Sequence, residues 1–229
     1  MQHDARCATM IMDIEAEYKF TCGITGKCVF PQRIKTAMQQ VPRHEFVPQS
    51  MQHSAYMNSP LPIGHGQTIS QPFIVALMTD LLGTNENHAI LEIGTGCGYQ
   101  AAVLDRLVKK VYSLEIVSAL ATEAKERLRR LGYNNVEVRE GDGYYGWREF
   151  APFDGIIVTA ATPEVPEELI DQLKVGGKLV LPVGYPYDRQ ELVVVSRGEN
   201  GSIRQEDVLA VSFVPMTGGL GRAERKTVQ

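Results

Sequence analysis

The stretch Glu92-Ile93-Gly94-Thr95-Gly96-Cys97-Gly98 decides the fold of this chain. It follows a short apolar run at 89–93 that is typical of a buried strand, and it leads into 98–108, where apolar residues recur at helical spacing. Glycines at a strand-to-helix junction let the backbone approach a ligand closely. The stretch therefore predicts the first strand–turn–helix unit of a ligand-binding α/β sheet.

Strand and helix patterns alternate downstream of this stretch. The strand patterns lie at 111–115, 136–138, 154–159 and 178–183, and the helical patterns lie at 118–131 and 166–173. Such alternation indicates a mostly parallel sheet with helices on both faces. Two last strand patterns, at 192–196 and 208–214, have no long helix between them and predict an antiparallel edge. We therefore predict an α/β fold with a doubly wound, Rossmann-like sheet, which binds ligands at the carboxyl ends of its strands.

The segment before the sheet is irregular and helical by turns. Prolines interrupt residues 1–60, although 31–38 and the segment from Pro72 to Gly83 have helical patterns. We see no internal repeat and no low-complexity linker. We predict a single domain over 1–229, which consists of an N-terminal helical and substrate-side segment (1–85), a cofactor-binding core (86–185) and C-terminal strands with a tail (186–229).

The composition excludes several classes of protein. The 229 residues include 23 Lys and Arg against 27 Asp and Glu, and 44% are apolar, which is ordinary for a globular protein and too apolar for a disordered one. The net charge of −4 gives no basic footprint for nucleic acid. No run approaches the ~20 apolar residues of a membrane span, and the N-terminus lacks a signal-peptide core. We expect a cytoplasmic protein that binds neither nucleic acid nor membrane.

Four cysteines, Cys7, Cys22, Cys28 and Cys97, raise the question of a disulfide or a metal site. Cys22 and Cys28 are close in sequence, but there is no second pair, and the five histidines are scattered. A closed zinc site needs four ligands in tight pairs, and cytosolic proteins keep their thiols reduced. We expect reduced thiols and no metal.

Acidic residues follow the next two strand patterns. Glu115 ends the second strand, 21 residues after Gly94, where a carboxylate is suited to accept both hydroxyls of a ribose. Asp142 follows the third strand in Gly141-Asp142-Gly143, where it can face an adenine amino group. Each acid has a plainer interpretation, Glu115 as a surface charge and Asp142 as a turn residue. Their placement at consecutive strand ends favours an adenosine ligand.

The residue after the glycines helps to distinguish between the possible adenosine-containing ligands. Dinucleotide-binding loops favour a small residue where this chain has Tyr99, because a pyrophosphate at the helix N-terminus tolerates such bulk poorly. The sequence has no GxxxxGK[ST] run, which counts against a nucleoside triphosphatase. The GxGxG form instead resembles the first motif of S-adenosylmethionine-dependent methyltransferases.

Five ordered segments resemble one family of these enzymes, the protein-L-isoaspartate O-methyltransferases. The run Pro62-Ile63-Gly64-His65-Gly66-Gln67-Thr68-Ile69-Ser70-Gln71-Pro72 resembles the signature before the family's cofactor motif, and 91–102 resembles the cofactor loop. The other matching segments are 41–48, 140–143 and 213–219. The resemblance extends over residues 31–219, and the first 30 residues are the least familiar part.

The resemblance implies S-adenosylmethionine as the cofactor, L-isoaspartyl residues of damaged polypeptides as the substrate, and repair of aged proteins as the role. It implies Ser70 as the catalytic residue. The motifs and the resemblance together assign cofactor binding to Glu92, Gly94, Gly96, Gly98, Glu115, Asp142 and Gly143. Substrate binding is assigned to His65, Thr68, Ala160 and Val214, although His65 has an equal claim to a purely structural position in a turn.

The implied reaction suits these residue types. An α-carboxyl has a pKa near ~3.5, so the attacking oxygen is already ionised at pH 7 and needs no general base. Hydroxyls such as those of Thr68 and Ser70, and backbone amides, would hold the carboxylate less strongly than an arginine. Tight binding that is equal in ground and transition states would not raise turnover. The plainer interpretation of Ser70 is the N-cap of the helix that Pro72 begins.

Three other functions stay open at this point. The first is S-adenosylmethionine-dependent methylation of another acceptor, although the Asn/Asp-Pro-Pro-Tyr run of amino-group methylases is missing where this chain has Thr159-Ala160-Ala161-Thr162-Pro163. The second is a nicotinamide-dependent oxidoreductase, against which Tyr99 counts. The third is a damaged-protein binding module without turnover. We expect a monomer, because a groove for flexible peptides needs no subunit interface.

Overall fold

The computed structural model describes residues 2–185 and 188–219, without the side chains of 2–4. The strands are β1 (Leu61–Gly64), β2 (Gln67–Ile69), β3 (Ala89–Ile93), β4 (Lys110–Glu115), β5 (Val136–Glu140), β6 (Phe153–Val158), β7 (Leu173–Gly184), β8 (Gln190–Arg197) and β9 (Ile203–Val211). The helices are α1 (Gln2–Thr25), α2 (Gln32–Gln40), α3 (Pro72–Leu82), α4 (Tyr99–Asp105), α5 (Ser118–Arg130) and α6 (Glu167–Asp171). Short 3-10 helices lie at Arg43–Phe46, Gln49–Ser54, Gly143–Tyr145 and Arg148–Phe150.

Seven strands form one sheet in the order β5-β4-β3-β6-β7-β8-β9. The pairs from β5 to β7 are parallel, and β8 and β9 are added antiparallel. The strand order reverses beside β3, since β4 lies on one side of it and β6 on the other. Ligands bind at the carboxyl ends of strands at such a switch point. The glycine stretch that follows β3 lies there, so the predicted mostly parallel sheet with an antiparallel edge is confirmed.

Helices cover both faces of the sheet, because successive residues of its strands are apolar. Ile90 and Leu91 of β3 are both fully buried and point to opposite faces, since side chains alternate along a strand. Ile90 packs in a cluster with residues of α1 to α5. Leu91 packs in a second cluster with Trp147 and Leu169. The predicted doubly wound arrangement is confirmed on this point.

The long helix α1 was not predicted. Its buried residues Met10, Ile14 and Tyr18 are four residues apart, which places them on one face of the helix. Phe20 is 85% exposed, and such exposed apolar residues weaken the periodicity by which an amphipathic helix is recognised. The prediction of a segment that is irregular and helical by turns thus holds for its helical character, but the extent of α1 was not predicted.

Several other boundaries differ from the prediction. The strand predicted at 178–183 is β7, which begins at Leu173, and the helix predicted over 98–108 is α4, which ends at Asp105. The helix predicted at 166–173 is the shorter α6, because Leu173 already belongs to β7. The strand predicted at 208–214 is β9, which begins at Ile203. The first five residues of β9 are exposed at the sheet edge, and the four after Ile203 are polar, so they give little apolar signal. The predicted division of the chain at 85 and 185 stays a prediction, and its tail beyond residue 219 lies outside the described residues.

The cysteines depart from expectation as well. Cys22 and Cys28 form a disulfide with their Cα atoms 4.4 Å apart, so the prediction of reduced thiols is wrong for this pair. The chain reverses after α1 through Gly26, which has a φ of +66° and whose N–H donates to the Cys22 carbonyl at 3.0 Å. That turn brings Cys28 beside the last turn of the helix. Cys7 and Cys97 lie outside this disulfide.

Candidate active site

A cleft lies at the carboxyl ends of β3, β4 and β6. Its lining consists of Gln67, Thr68, Ile93, Gly94, Gly96, Glu115, Ile116, Val117, Gly143, Thr159, Ala160, Val214, Pro215, Met216 and Thr217. Glu115 is the one titratable side chain in that lining, and the hydroxyls come from three threonines.

The glycine stretch forms the floor of the cleft. Gly94 has a φ of +90°, and a Cβ on it would lie 2.5 Å from the Thr159 hydroxyl oxygen, so only glycine fits. That hydroxyl donates to the Gly94 carbonyl at 2.6 Å, and the Leu114 carbonyl accepts from the Gly94 N–H at 2.8 Å. The loop is thus bonded to the strands on both sides. Gly96 also lies against β1, where a Cβ on it would be 3.4 Å from Ile63 Cδ1.

Glu115 orders the loop from the end of β4. One carboxylate oxygen accepts from the Gly96 N–H at 2.7 Å, and the other accepts from the Val117 N–H at 2.9 Å. The residue is 6% exposed and lines the cleft. Each carboxylate oxygen accepts more than one hydrogen bond, so Glu115 has acceptor capacity left for a ligand hydroxyl.

Glu92 lies beneath the loop and is outside the cleft lining. Its side chain is fully buried, and the Ser113 hydroxyl donates to it. Ser113 in turn is 2.6 Å from the Thr95 hydroxyl, so the three side chains link β3, β4 and the loop. Burial raises the pKa of Glu92 to about 8. Its predicted contact with a cofactor stays a prediction, and its position indicates support of the loop.

Gly98 and Asp142 lie behind the cleft lining as well. Gly98 is the N-cap residue before α4, and a Cβ on it would be 3.2 Å from the Leu128 side chain, so it permits close helix packing. Asp142 accepts from the Tyr144 N–H at 3.0 Å and from the Gly219 N–H at 2.7 Å. It therefore fastens the C-terminal segment to the site, while the neighbouring Gly143 lines the cleft.

The substrate-side residues come from three distant segments. Thr68 of β2, Ala160 after β6, and Val214 line the same cleft as the glycine loop. The Val214 carbonyl accepts from the Ala161 N–H at 2.8 Å, and the Met216 N–H donates to the Ala161 carbonyl at 2.8 Å. These two bonds hold the segment after β9 against the loop after β6.

Ser70 lies beside the cleft. It lines a neighbouring groove, here called the side groove, whose other walls are formed by Thr68, Phe73, Phe213, α1 and β9. Thr68 lines both spaces, so the cleft and the side groove adjoin at that residue. His65 is exposed at the tip of the β1–β2 turn with a φ of +53°, and it lines neither space. The N-cap of α3 is Gln71, without a capping hydrogen bond from a side chain, so the capping role considered for Ser70 is not observed.

Comparisons with known proteins agree on one family. The sequence profile of the family "Protein-L-isoaspartate(D-aspartate) O-methyltransferase (PCMT)" matches residues 22–221. Protein-L-isoaspartate O-methyltransferase 2 of Syntrophobacter fumaroxidans is 54% identical over 95% of this chain and 88% of its own length. The protein of the same name from Nitrosococcus oceani is 57% identical over 91% of this chain and 95% of its own. The chain belongs to the protein-L-isoaspartate(D-aspartate) O-methyltransferase family.

Solved structures of the family share the fold. A protein-L-isoaspartate O-methyltransferase structure that is 30% identical superposes with a TM-score of 0.82, over 97% of this chain and 70% of that one. A Plasmodium falciparum protein assigned provisionally to the same activity is 25% identical, with a TM-score of 0.75 over 91% of this chain and 97% of that one, and was solved in complex with S-adenosyl-L-homocysteine. Members of the family use S-adenosylmethionine. Family membership thus confirms the predicted cofactor class.

Membership of this family also argues against a nicotinamide-dependent oxidoreductase. Tyr99 is 2% exposed at the start of α4, and its ring packs 5.5 Å from that of Phe46, away from the cleft. Among residues 2–185 and 188–219, no cluster of three or more His, Cys, Asp or Glu side chains is placed to bind a metal. No helix in the same residues is long and apolar enough to cross a membrane.

Several residues of the site were missed from the sequence. Ile116 and Val117 line the cleft directly after Glu115, and Met216 lines it from the C-terminal segment. The sequence signal for Ile116 and Val117 was their position directly after Glu115, and Met216 lies within the matching segment 213–219, but no role was assigned to any of the three. Gln190 gave no signal. It is 4% exposed, and its side-chain amide accepts from the Phe213 N–H at 2.6 Å and donates to the Phe213 carbonyl at 3.2 Å. It thereby orients the segment that carries Val214.

Proposed function

We propose that this protein transfers a methyl group from S-adenosylmethionine to the free α-carboxylate of L-isoaspartyl residues in damaged polypeptides. The observation that carries the proposal is the junction at Thr68, where the cleft that contains the glycine stretch and Glu115 meets the side groove. A cleft with the glycine loop and Glu115 suits the cofactor. The side groove, which reaches Ser70, suits a polypeptide chain.

The residues present fit the cofactor. Glu115 offers carboxylate oxygens to ribose hydroxyls, and the apolar side chains of Ile116, Val117 and Met216 suit a purine. Gly94 and Gly96 permit close approach of the backbone. The bound cofactor supplies an electrophilic methyl group on a sulfonium centre.

The chain's own task is to place a carboxylate beside that methyl group. Within the described cleft lining there is no Lys, Arg or His, so hydroxyls and backbone amides are left to hold the substrate carboxylate. These groups bind an anion less strongly than a guanidinium does, which avoids over-stabilising the ground state. Because the carboxylate is already ionised at neutral pH, the protein needs only to orient it and to exclude water.

The methyl ester that the reaction produces explains how an isoaspartyl site is repaired. In the methyl ester, the nitrogen of the following backbone amide attacks the ester carbonyl, methanol leaves, and a succinimide ring forms. Hydrolysis of the ring gives aspartyl and isoaspartyl peptides, so repeated cycles return damaged sites to aspartate. Cytoplasmic location, a monomeric state and the absence of nucleic-acid binding remain predictions from the sequence.

The proposal is tested with two synthetic peptides that differ only in L-isoaspartate against L-aspartate at one position. With S-adenosylmethionine labelled in its methyl group, we expect base-labile label on the isoaspartyl peptide alone. Label on neither peptide, with S-adenosylhomocysteine binding intact by calorimetry, would instead favour another acceptor or a binding module without turnover.

A further inference from the structure

Arg43 is a fully buried cation that none of the assigned roles uses. It lies at the start of the 3-10 helix Arg43–Phe46 and is 0% exposed. Its Nε donates to the Ala55 carbonyl at 2.8 Å, and its Nη2 donates to the Ser70 carbonyl at 2.7 Å. One side chain thus ties the proline-rich segment to the residue implied in catalysis.

Among the described residues, no carboxylate is one of the groups that act on the charge of Arg43. The groups that face it are the side chains of Tyr56, Cys97 and Tyr99, and the guanidinium carbon is 4.7 Å from the centroid of the Tyr99 ring. Its buried Nη1 has no hydrogen-bond partner among the described residues, and a buried charge without a carboxylate partner is costly. That cost points to a role in the site.

A second contact holds the same short segment from its other end. The Asn58 side-chain oxygen accepts from the Phe73 N–H at 3.0 Å. The backbone from Ser70 to Phe73 is therefore fixed at both ends by side chains from residues 43–58, while the side chain of Ser70 is left on the side groove. Tyr99, against which Arg43 packs, is the first residue of α4 directly after the glycine stretch.

We propose that Arg43 is a positioning residue for methyl transfer, which sets the orientation of Ser70 relative to the cofactor loop. Its two carbonyl contacts hold the Ser70 backbone to the Ala55 backbone. Its packing over the Tyr99 ring fixes the position of Ser70 relative to α4, the helix that follows the glycines. The role rests on the proposed function, since it assumes that Ser70 meets the substrate carboxylate.

The first test compares R43K with R197K in the complete protein. Arg197 also donates to a backbone carbonyl, that of Leu173 at 2.8 Å, far along the chain from the site, and so controls for loss of a guanidinium–carbonyl bond. A lysine cannot donate in two directions from one planar group. We expect R43K to raise KM for the isoaspartyl peptide or lower kcat by ~10-fold, with S-adenosylhomocysteine affinity within about twofold of wild type. R197K should change neither, and an R43K that matches R197K would overturn the proposal.

The second test asks whether Arg43 acts through Ser70. In a double-mutant cycle with S70A, we expect R43K to add little to the loss that S70A causes, because the orientation of an absent hydroxyl has no effect. Fully additive losses of activity would contradict the proposal, because they would mean that Arg43 acts independently of the Ser70 hydroxyl. If R43K does not fold, N58A takes its place in the cycle, since Asn58 holds the other end of the segment.

Hydrogen exchange separates this proposal from the proposed function. We expect faster amide exchange over residues 67–75 in R43K than in R197K, whichever acceptor the wild-type protein methylates. Failure of the wild type to methylate the isoaspartyl peptide would contradict the proposed function. Unchanged amide exchange over 67–75 in R43K would contradict the proposed role of Arg43 in holding the backbone from Ser70 to Phe73, even in an active enzyme.

Discussion

Glu115 combines support of the loop with a place in the cleft, and both depend on its two oxygens. In E115Q the amide nitrogen cannot accept a hydrogen bond, so the N–H of either Gly96 or Val117 loses its partner. We expect S-adenosylhomocysteine to bind ~10- to 100-fold more weakly by calorimetry, because hydrogen bonds to charged groups are worth ~1.5–3 kcal/mol. The control is E137Q, since Glu137 pairs with Lys110 at 3.1 Å outside the cleft lining. Wild-type affinity in E115Q would contradict this role.

Glu92 makes the stability of the protein depend on pH. Its pKa is about 8 in the folded protein and near the ordinary 4.5 when unfolded. Between these values the folded state keeps a proton that the unfolded state releases, so the free energy of unfolding falls as the pH rises, by up to ~1.4 kcal/mol per pH unit. The neutral side chain in E92Q removes this slope, so the variant should match wild type near pH 5 and exceed it near pH 8. Parallel pH dependences of the two proteins in urea unfolding would contradict the account.

At the scale of single residues, the sequence predicts those site residues that belong to short motifs. Gly94, Gly96 and Glu115 line the cleft because strand ends and glycine turns fix them locally. Arg43 and Gln190 were not predicted as site residues, because their contacts to Ser70 and Phe213 span 27 and 23 residues and depend on how distant segments pack. A hydrogen bond from a side chain to a distant backbone group leaves no pattern in one sequence.

Among the elements, the end of α1 is where structure and sequence disagree most. The Cys22–Cys28 disulfide closes a short loop, for which chain entropy predicts a stabilisation of ~2 kcal/mol. We expect dithiothreitol to lower the free energy of unfolding of the wild type by about that amount and to leave the double variant C22S/C28S unchanged. Equal sensitivity of both proteins to the reductant would contradict the prediction.

The strands differ in how far the sequence predicts them. β3 and β6 are central and buried, so their apolar runs identify them within a residue or two. β9 is at the edge, its first five residues are exposed and four of them are polar, and these residues gain their conformation from pairing with β8. Edge strands carry little apolar signal, which is why this boundary was misplaced.

At the scale of the whole molecule, the topology brings the two halves of the site together. The switch point beside β3 places the cofactor loop, while the β1–β2 hairpin and the segment after β9 reach the same cleft from opposite ends of the chain. Local patterns predicted the first part through strand–helix alternation. The second part became visible only through a resemblance, because its segments have no periodicity that places them in space.

The central claim is that this protein methylates the α-carboxylate of an L-isoaspartyl residue and so starts its repair. The most direct measurement follows one isoaspartyl peptide over time by mass spectrometry, with the protein and S-adenosylmethionine present. The account predicts that a species with one added methyl group appears first, that the succinimide follows, and that the aspartyl peptide accumulates. The matched aspartyl peptide should stay unmodified. Methylation of both peptides at equal rates, or of neither by a protein that binds the cofactor, would contradict the claim.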